Sequence, residues 1–117
     1  MYSQKVKEHF ANPRNVGELE NPDAIGEAKN EADGDKVRLY LSIQNHIITH
    51  VRMKVMGCVA AIAATSCYSE MIKGKTVQEA LEISKEQLAS ALDGLPENKV
   101  QCSLTCIDAL HDALKNQ

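Results

Sequence analysis

Two alternating runs and the corner that follows them constrain the fold of this chain more than any other feature. In the first run, Val37, Leu39, Leu41 and Ile43 alternate with Lys36, Arg38, Tyr40, Ser42 and Gln44. In the second, Thr49, Val51, Met53 and Val55 alternate with Ile48, His50, Arg52 and Lys54. A period of two marks a strand with one buried and one wet face. A turn at Asn45-His46 joins the runs, so they read as an antiparallel hairpin. At Gly57-Cys58 the pattern then changes to an Ala-rich stretch that reads as a helix. Gly57 supplies backbone freedom for the corner. Cys58, beside the helix start, meets free N–H groups and the positive end of a dipole, surroundings suited to a thiolate. Taken alone, a cysteine at such a junction is more often a small buried residue than a functional one.

The rest of the chain falls in around this unit. Tyr2 to Phe10 reads as a short helix stopped at Asn12-Pro13, because a residue before proline avoids helical angles. Pro13 to Glu31 is a turn-rich connector, with at most one short edge strand near Gly26 to Asn30. Asp33-Gly34-Asp35 forms the turn into the hairpin. The helix after Cys58 runs to about Lys73 and stops at Gly74. Thr76-Val77-Gln78-Glu79 and Ser84-Lys85-Glu86-Gln87 each have capping-box spacing and announce two short helices. After a break at Asp93-Gly94-Leu95-Pro96, an amphipathic helix begins at Asn98 or Cys102 and ends at Leu114. Residues 1–117 are expected to form one α+β domain with helices on the apolar face of an antiparallel sheet.

Composition excludes several functions. With three Tyr, one Phe and no Trp the core must be aliphatic, and stacking of bases has no aromatic platform. A net charge of -3, spread along the chain, gives no nucleic-acid footprint. The amino terminus has no signal-peptide run and no segment reaches membrane-spanning length, so a cytoplasmic protein is expected, its four cysteines held as thiols. The outer hairpin face carries Lys36, Arg38, His50, Arg52 and Lys54, which reads as a solvated face before a docking surface for an acidic partner.

Helix geometry sorts the thiols. Cys58 and Cys67 are half a turn out of phase and about 13 Å apart along the axis, so they cannot share a metal. Cys67 shares an apolar stripe with Ala60, Ala63, Ala64 and Met71 and reads as core. Cys102 and Cys106 share a helix face, but Cys106 aligns with Leu110 and Ala113, which favours packing. Cys102 lies at a helix start, as Cys58 does. Antiparallel pairing returns the end of the second strand, at Cys58, to the start of the first, at Asp33 and Asp35. Two thiols and two carboxylates make a plausible cation site.

The motifs then show a family resemblance. Tyr2 to Gly17, with His9-Phe10-Ala11-Asn12-Pro13-Arg14-Asn15, resembles the amino terminus of the NifU/IscU-type iron–sulfur cluster scaffold proteins. Ala32-Asp33-Gly34-Asp35 stands where that family has Ala-Cys-Gly-Asp. Met56 to Ala63 is similar to its Gly-Cys-x-x-Ala-x-Ala segment, and Leu95-Pro96-Glu97-Asn98-Lys99-Val100-Gln101-Cys102-Ser103 to its Leu-Pro-Pro-x-Lys-x-His-Cys-Ser. The resemblance spans essentially the whole chain. It implies a three-stranded α/β sandwich that receives sulfide from a cysteine desulfurase, assembles a transient [2Fe–2S] cluster and passes it to recipient proteins, without enzymatic turnover. The family's three cluster cysteines fall on Asp33, Cys58 and Cys102, and its cluster-labilising aspartate on Asp35. Leu95, Pro96 and Lys99 occupy the segment read in some relatives by an Hsp70-type chaperone.

This chain departs from the pattern at the first cysteine, now Asp33, and at the histidine, now Gln101. A carboxylate binds iron as a harder ligand than thiolate and cannot carry a persulfide, and a neutral amide is a poor metal ligand. Cys106 is a minor candidate for the missing thiol. The expected site is therefore Asp33, Asp35, Cys58 and Cys102. The alternative is a diverged member that holds zinc or iron, or serves as an accessory binding protein, without building clusters.

Overall fold

The computed structural model describes residues 2–115. The elements are α1 (Gln4–Ala11), β1 (Ala24–Asn30), β2 (Asp35–Gln44), β3 (Ile47–Met56), α2 (Val59–Ile72), α3 (Val77–Leu81), α4 (Lys85–Ala91) and α5 (Val100–Leu114), with a 3₁₀ turn at Glu97–Lys99. The strands form an antiparallel meander in the order β1-β2-β3, and the fold is α+β. Among the described residues no helix is long and apolar enough to cross a membrane.

The β2–β3 hairpin closes through Asn45 and His46, both with positive φ (52° and 66°), which matches the twist of the strands it joins. A register irregularity at Ser42/Ile43 shifts the faces near the turn. Ile48, expected from simple alternation to lie outward, is therefore buried beside Val51 and Met53. Tyr40, also expected on the wet face, is 5% exposed, because on the middle strand it is flanked by Ile25 of β1 and Arg52 of β3. β1 starts at Ala24, two residues earlier than its turn-rich sequence suggests. Pairing of Ala24 with Leu41 and Ile25 with Tyr40 extends it.

The core joins Val37, Leu39, Leu41, Val51 and Met53 of the sheet to Ala63, Ala64, Tyr68 and Ile72 of α2 and Ala109, Leu110 and Leu114 of α5. Each large aliphatic side chain buried there contributes roughly 1.5–3 kcal/mol. Gly26 fixes how closely α5 can lie on β1, since a Cβ at this position would sit 2.0 Å from the Ala109 carbonyl oxygen. Backbone meets backbone here, and any side chain would push the helix away. Both capping boxes form: the Thr76 and Ser84 side chains accept from the Glu79 and Gln87 amides, and those side chains cap in return.

Buried hydroxyls of α2 anchor the amino-terminal segment. Ser66 Oγ accepts from the Arg14 amide at 2.9 Å and lies 2.8 Å from His9 Nδ1, while Ser69 Oγ accepts from Asn15 Nδ2 at 2.9 Å. The His-Phe-x-Asn-Pro-Arg-Asn run thus acts as a clasp in this chain. Burial is the largest influence holding His9 below its usual pKa, with the Arg14 charge adding to it.

Candidate metal centre

Three separate elements deliver the side chains of the centre. Asp35 opens β2, Cys58 is the N-cap of α2 directly after β3, and Cys102 lies in the first turn of α5. Lys36 pairs with Met56, so antiparallel register sets Asp35 under the corner that Cys58 turns. Gly57 makes room for it: a Cβ there would come within 2.3 Å of Asp35 Oδ1. The Asp35 carboxylate then caps the helix that Cys58 begins, with Oδ1 accepting from the Cys58 amide at 3.1 Å.

The two sulfurs are 3.5 Å apart, and Cys58 Sγ lies 3.9 Å from Asp35 Oδ2. One ligand atom from each of Asp35, Cys58 and Cys102 falls within 4.8 Å of the others. Asp35 and Cys102 are fully buried, and Cys58 is half-buried. Asp33 approaches from the solvent side, its Oδ2 3.5 Å from Cys102 Sγ and 3.2 Å from Asn30 Nδ2. It is exposed and lies outside the mutually close group of three. The two aspartates that the sequence offers as equals are thus different in kind, one inside and one at the rim.

Burial is the largest influence pushing the Cys102 thiol up, followed by its contacts with Cys58 and Asp35. The Lys99 ammonium is pushed up by negative charge at Cys58 first, then Tyr2, with Cys102 and Asp33 adding to it. Lys99 therefore lies within the electrostatic reach of the centre. It lies in the 3₁₀ turn before α5, which the sequence reading did not anticipate, and nothing in the local pattern pointed it at the thiols. Leu95, half-buried, packs with Ala60, Ala61 and Cys102, while Pro96 borders a shallow hollow with Tyr2, Ser3 and Asp93.

Cys106 and Cys67 go elsewhere. Cys106 is fully buried in the main core, its sulfur 3.2 Å from the Ser103 carbonyl oxygen, with burial pushing the thiol up to about 12. Cys67 is pushed up to about 11, again chiefly by burial. Gln101 is exposed. The basic hairpin face carries its own counter-charges: Glu27 pairs with Lys36 and Arg38, and Glu18 with Lys54. Neither glutamate is on the hairpin, so the sequence pattern of β2 and β3 could not reveal the neutralisation.

Asp35 takes part in no salt bridge among the described residues. A carboxylate buried without a cationic partner costs several kcal/mol, and a metal ion would remove that cost. Two thiols with one carboxylate suit Fe²⁺ or Zn²⁺ better than Mg²⁺ or Ca²⁺.

Comparison with known proteins agrees with this chemistry. The model of the NifU-like N terminal domain matches residues 1–117. The iron–sulfur cluster assembly scaffold protein IscU 1 of Archaeoglobus fulgidus is 45% identical over 114 residues, covering 97% of this chain and 74% of that protein. The corresponding IscU of Aquifex aeolicus is 40% identical over 117 residues, covering 98% and 74%. Among solved structures, a protein from Fervidobacterium islandicum AW-1 described as an iron–sulfur cluster assembly scaffold for the SUF system superposes with a TM-score of 0.83 at 28% identity, covering 97% of this chain and 96% of that one.

Proposed function

We propose a function for a chain that belongs to the NifU-like N-terminal domain family: it is a scaffold for iron–sulfur cluster assembly. The observation that carries this reading is the convergence of Cys58, Cys102 and a buried, cation-free Asp35 on one corner. Iron and sulfide are the cargo. The half-buried Cys58 is open to an incoming sulfur donor, and Asp35, Cys58 and Cys102 hold iron, with Asp33 closing the site from its rim. The product is a labile [2Fe–2S] cluster, passed on to recipient proteins, and the chain acts as a carrier with no enzymatic turnover of its own.

A cysteine desulfurase supplies the sulfur. Leu95, Pro96 and Lys99, next to the Cys102 helix start, form the segment an Hsp70-type chaperone reads. Docking there would bear directly on the helix that carries Cys102. The work is done in a reducing cytoplasm, which keeps the thiols free.

Anaerobic reconstitution with ferrous iron, a cysteine desulfurase and cysteine tests this reading. The expected result is a charge-transfer absorption spectrum with stoichiometric iron and sulfide, lost in Cys58→Ser and Cys102→Ser. Zinc retention without any cluster would overturn it. That result would make the chain a diverged member whose Asp33 has turned a cluster site into a simple metal site.

A further inference from the structure

The centre holds two thiols where three would let one carry sulfur while two stay free, and those two are close enough to react with each other. Resting on the scaffold reading above, we propose that Cys102 is the resolving thiol for a persulfide on Cys58: it releases the sulfur as hydrosulfide and leaves a Cys58–Cys102 disulfide.

Exposure divides the roles. Cys58 is half-buried at the corner, where a donor can reach it, whereas Cys102 is fully buried behind it. The sulfurs are 3.5 Å apart, so closure to a bond of about 2.05 Å asks for a short movement at two helix starts. Asp33 is 3.5 Å from Cys102 Sγ on the rim side and provides an acceptor for its proton. A neutral thiol at this position would be a much weaker hydrogen-bond acceptor than the carboxylate.

The step balances within the chain. The Cys102 sulfur bonds to Cys58 Sγ while the bond from Cys58 Sγ to the sulfane sulfur breaks. The sulfane sulfur leaves as hydrosulfide with the hydrogen it carried, and the Cys102 thiol proton passes by way of Asp33 Oδ2, at the exposed rim, to solvent. The sulfane sulfur gains two electrons, and each cysteine sulfur gives up one. The sulfane donor is the persulfide of a cysteine desulfurase. A dithiol reductant restores both thiols, one dithiol consumed per disulfide. The chain thereby couples sulfide release to thiol–disulfide exchange, and the liberated hydrosulfide appears beside the buried Asp35, where iron would bind.

The test uses the full chain, free of iron, mixed anaerobically with a desulfurase that has been loaded with persulfide and then stripped of cysteine. Intact mass, peptide mapping and free sulfide are read together. The expected outcome is a Cys58–Cys102 disulfide with close to one hydrosulfide released per chain. Cys102→Ser should instead keep the persulfide on Cys58, with hydrosulfide reduced roughly tenfold or more. Asp33→Asn should close the disulfide more slowly than the wild type, at a rate normalised to the persulfide first loaded on Cys58. Cys67→Ser should behave as the wild type.

A wild-type chain that retains the persulfide on Cys58 with Cys102 free overturns the resolving role and leaves the scaffold reading standing. Equal rates of hydrosulfide release in the wild type and Asp33→Asn overturn the part given to Asp33. Failure of the wild type to accept sulfur at all overturns both the resolving role and the desulfurase partnership on which it rests.

Discussion

α2 and α5 each carry two cysteines, one at the start and one farther along, and the two pairs have opposite fates. Cys58 and Cys102, at the helix starts, face each other across 3.5 Å beside a buried carboxylate. Cys67 and Cys106, in the helix bodies, are packed among aliphatic side chains, with their thiols pushed up to about 11 and 12 by burial. Residue type is the same in all four. What differs is position and not burial, which pushes the Cys102 thiol up as well: the two helix starts bring their sulfurs together beside Asp35, and the helix bodies do not. The candidate centre is therefore placed by secondary-structure boundaries, and the cysteines farther along each helix pack in the core.

Exchanging the two pairs' roles by mutation should separate them, starting with the largest effect. Cys58→Ser should reduce iron and sulfide retained after reconstitution to background, whereas Cys67→Ser should leave both unchanged, as metal and sulfide assays would show. Next, Gly57→Ala places a Cβ against Asp35 Oδ1 and should displace the carboxylate. Its zinc affinity, read by competition with a chromophoric chelator, should fall about tenfold, equivalent to about 1.4 kcal/mol. Cys106→Ala removes a buried sulfur from the core and should cost about 1 kcal/mol in urea denaturation while leaving metal affinity unchanged.

The smallest effect concerns the clasp near Cys67. His9 is held below its usual pKa in the folded protein, so folding favours its neutral form. That contribution is complete above the unfolded-state value of about 6.5 and is lost as pH falls through the lower folded value. Stability measured by denaturation should therefore decline on acidification from about pH 6.5, and His9→Gln should flatten the decline.

Much of the fold could be read from local pattern. Alternation located β2 and β3, Asn45-His46 located their turn, and hydroxyl-to-Glu/Gln spacing located α3 and α4 because those signals act within a few residues. Antiparallel pairing also brought Asp35 to Cys58 before any coordinates were needed. The parts that stayed hidden depend on partners distant in the chain. The early start of β1 needs Leu41, the inward turn of Ile48 needs the irregularity at Ser42/Ile43, and the masking of Lys36, Arg38 and Lys54 needs Glu27 and Glu18. In the centre, sequence could nominate Asp33 and Asp35 together but could not tell the buried one from the exposed one. That distinction depends on Gly57, whose missing side chain leaves room for only one of them.

The close seating of α5 on Gly26 also bears on when the centre can exist. Cys102 meets Cys58 at a sequence separation of 44 and Asp33 at a separation of 69, among the longer-range contacts of the chain. Contacts between distant segments form late, after local turns and hairpins. The β2–β3 hairpin and α2 are consecutive in the chain and pair locally, but the second sulfur arrives only with α5. The pairing of the two sulfurs therefore waits on the docking of one helix, α5, against the sheet.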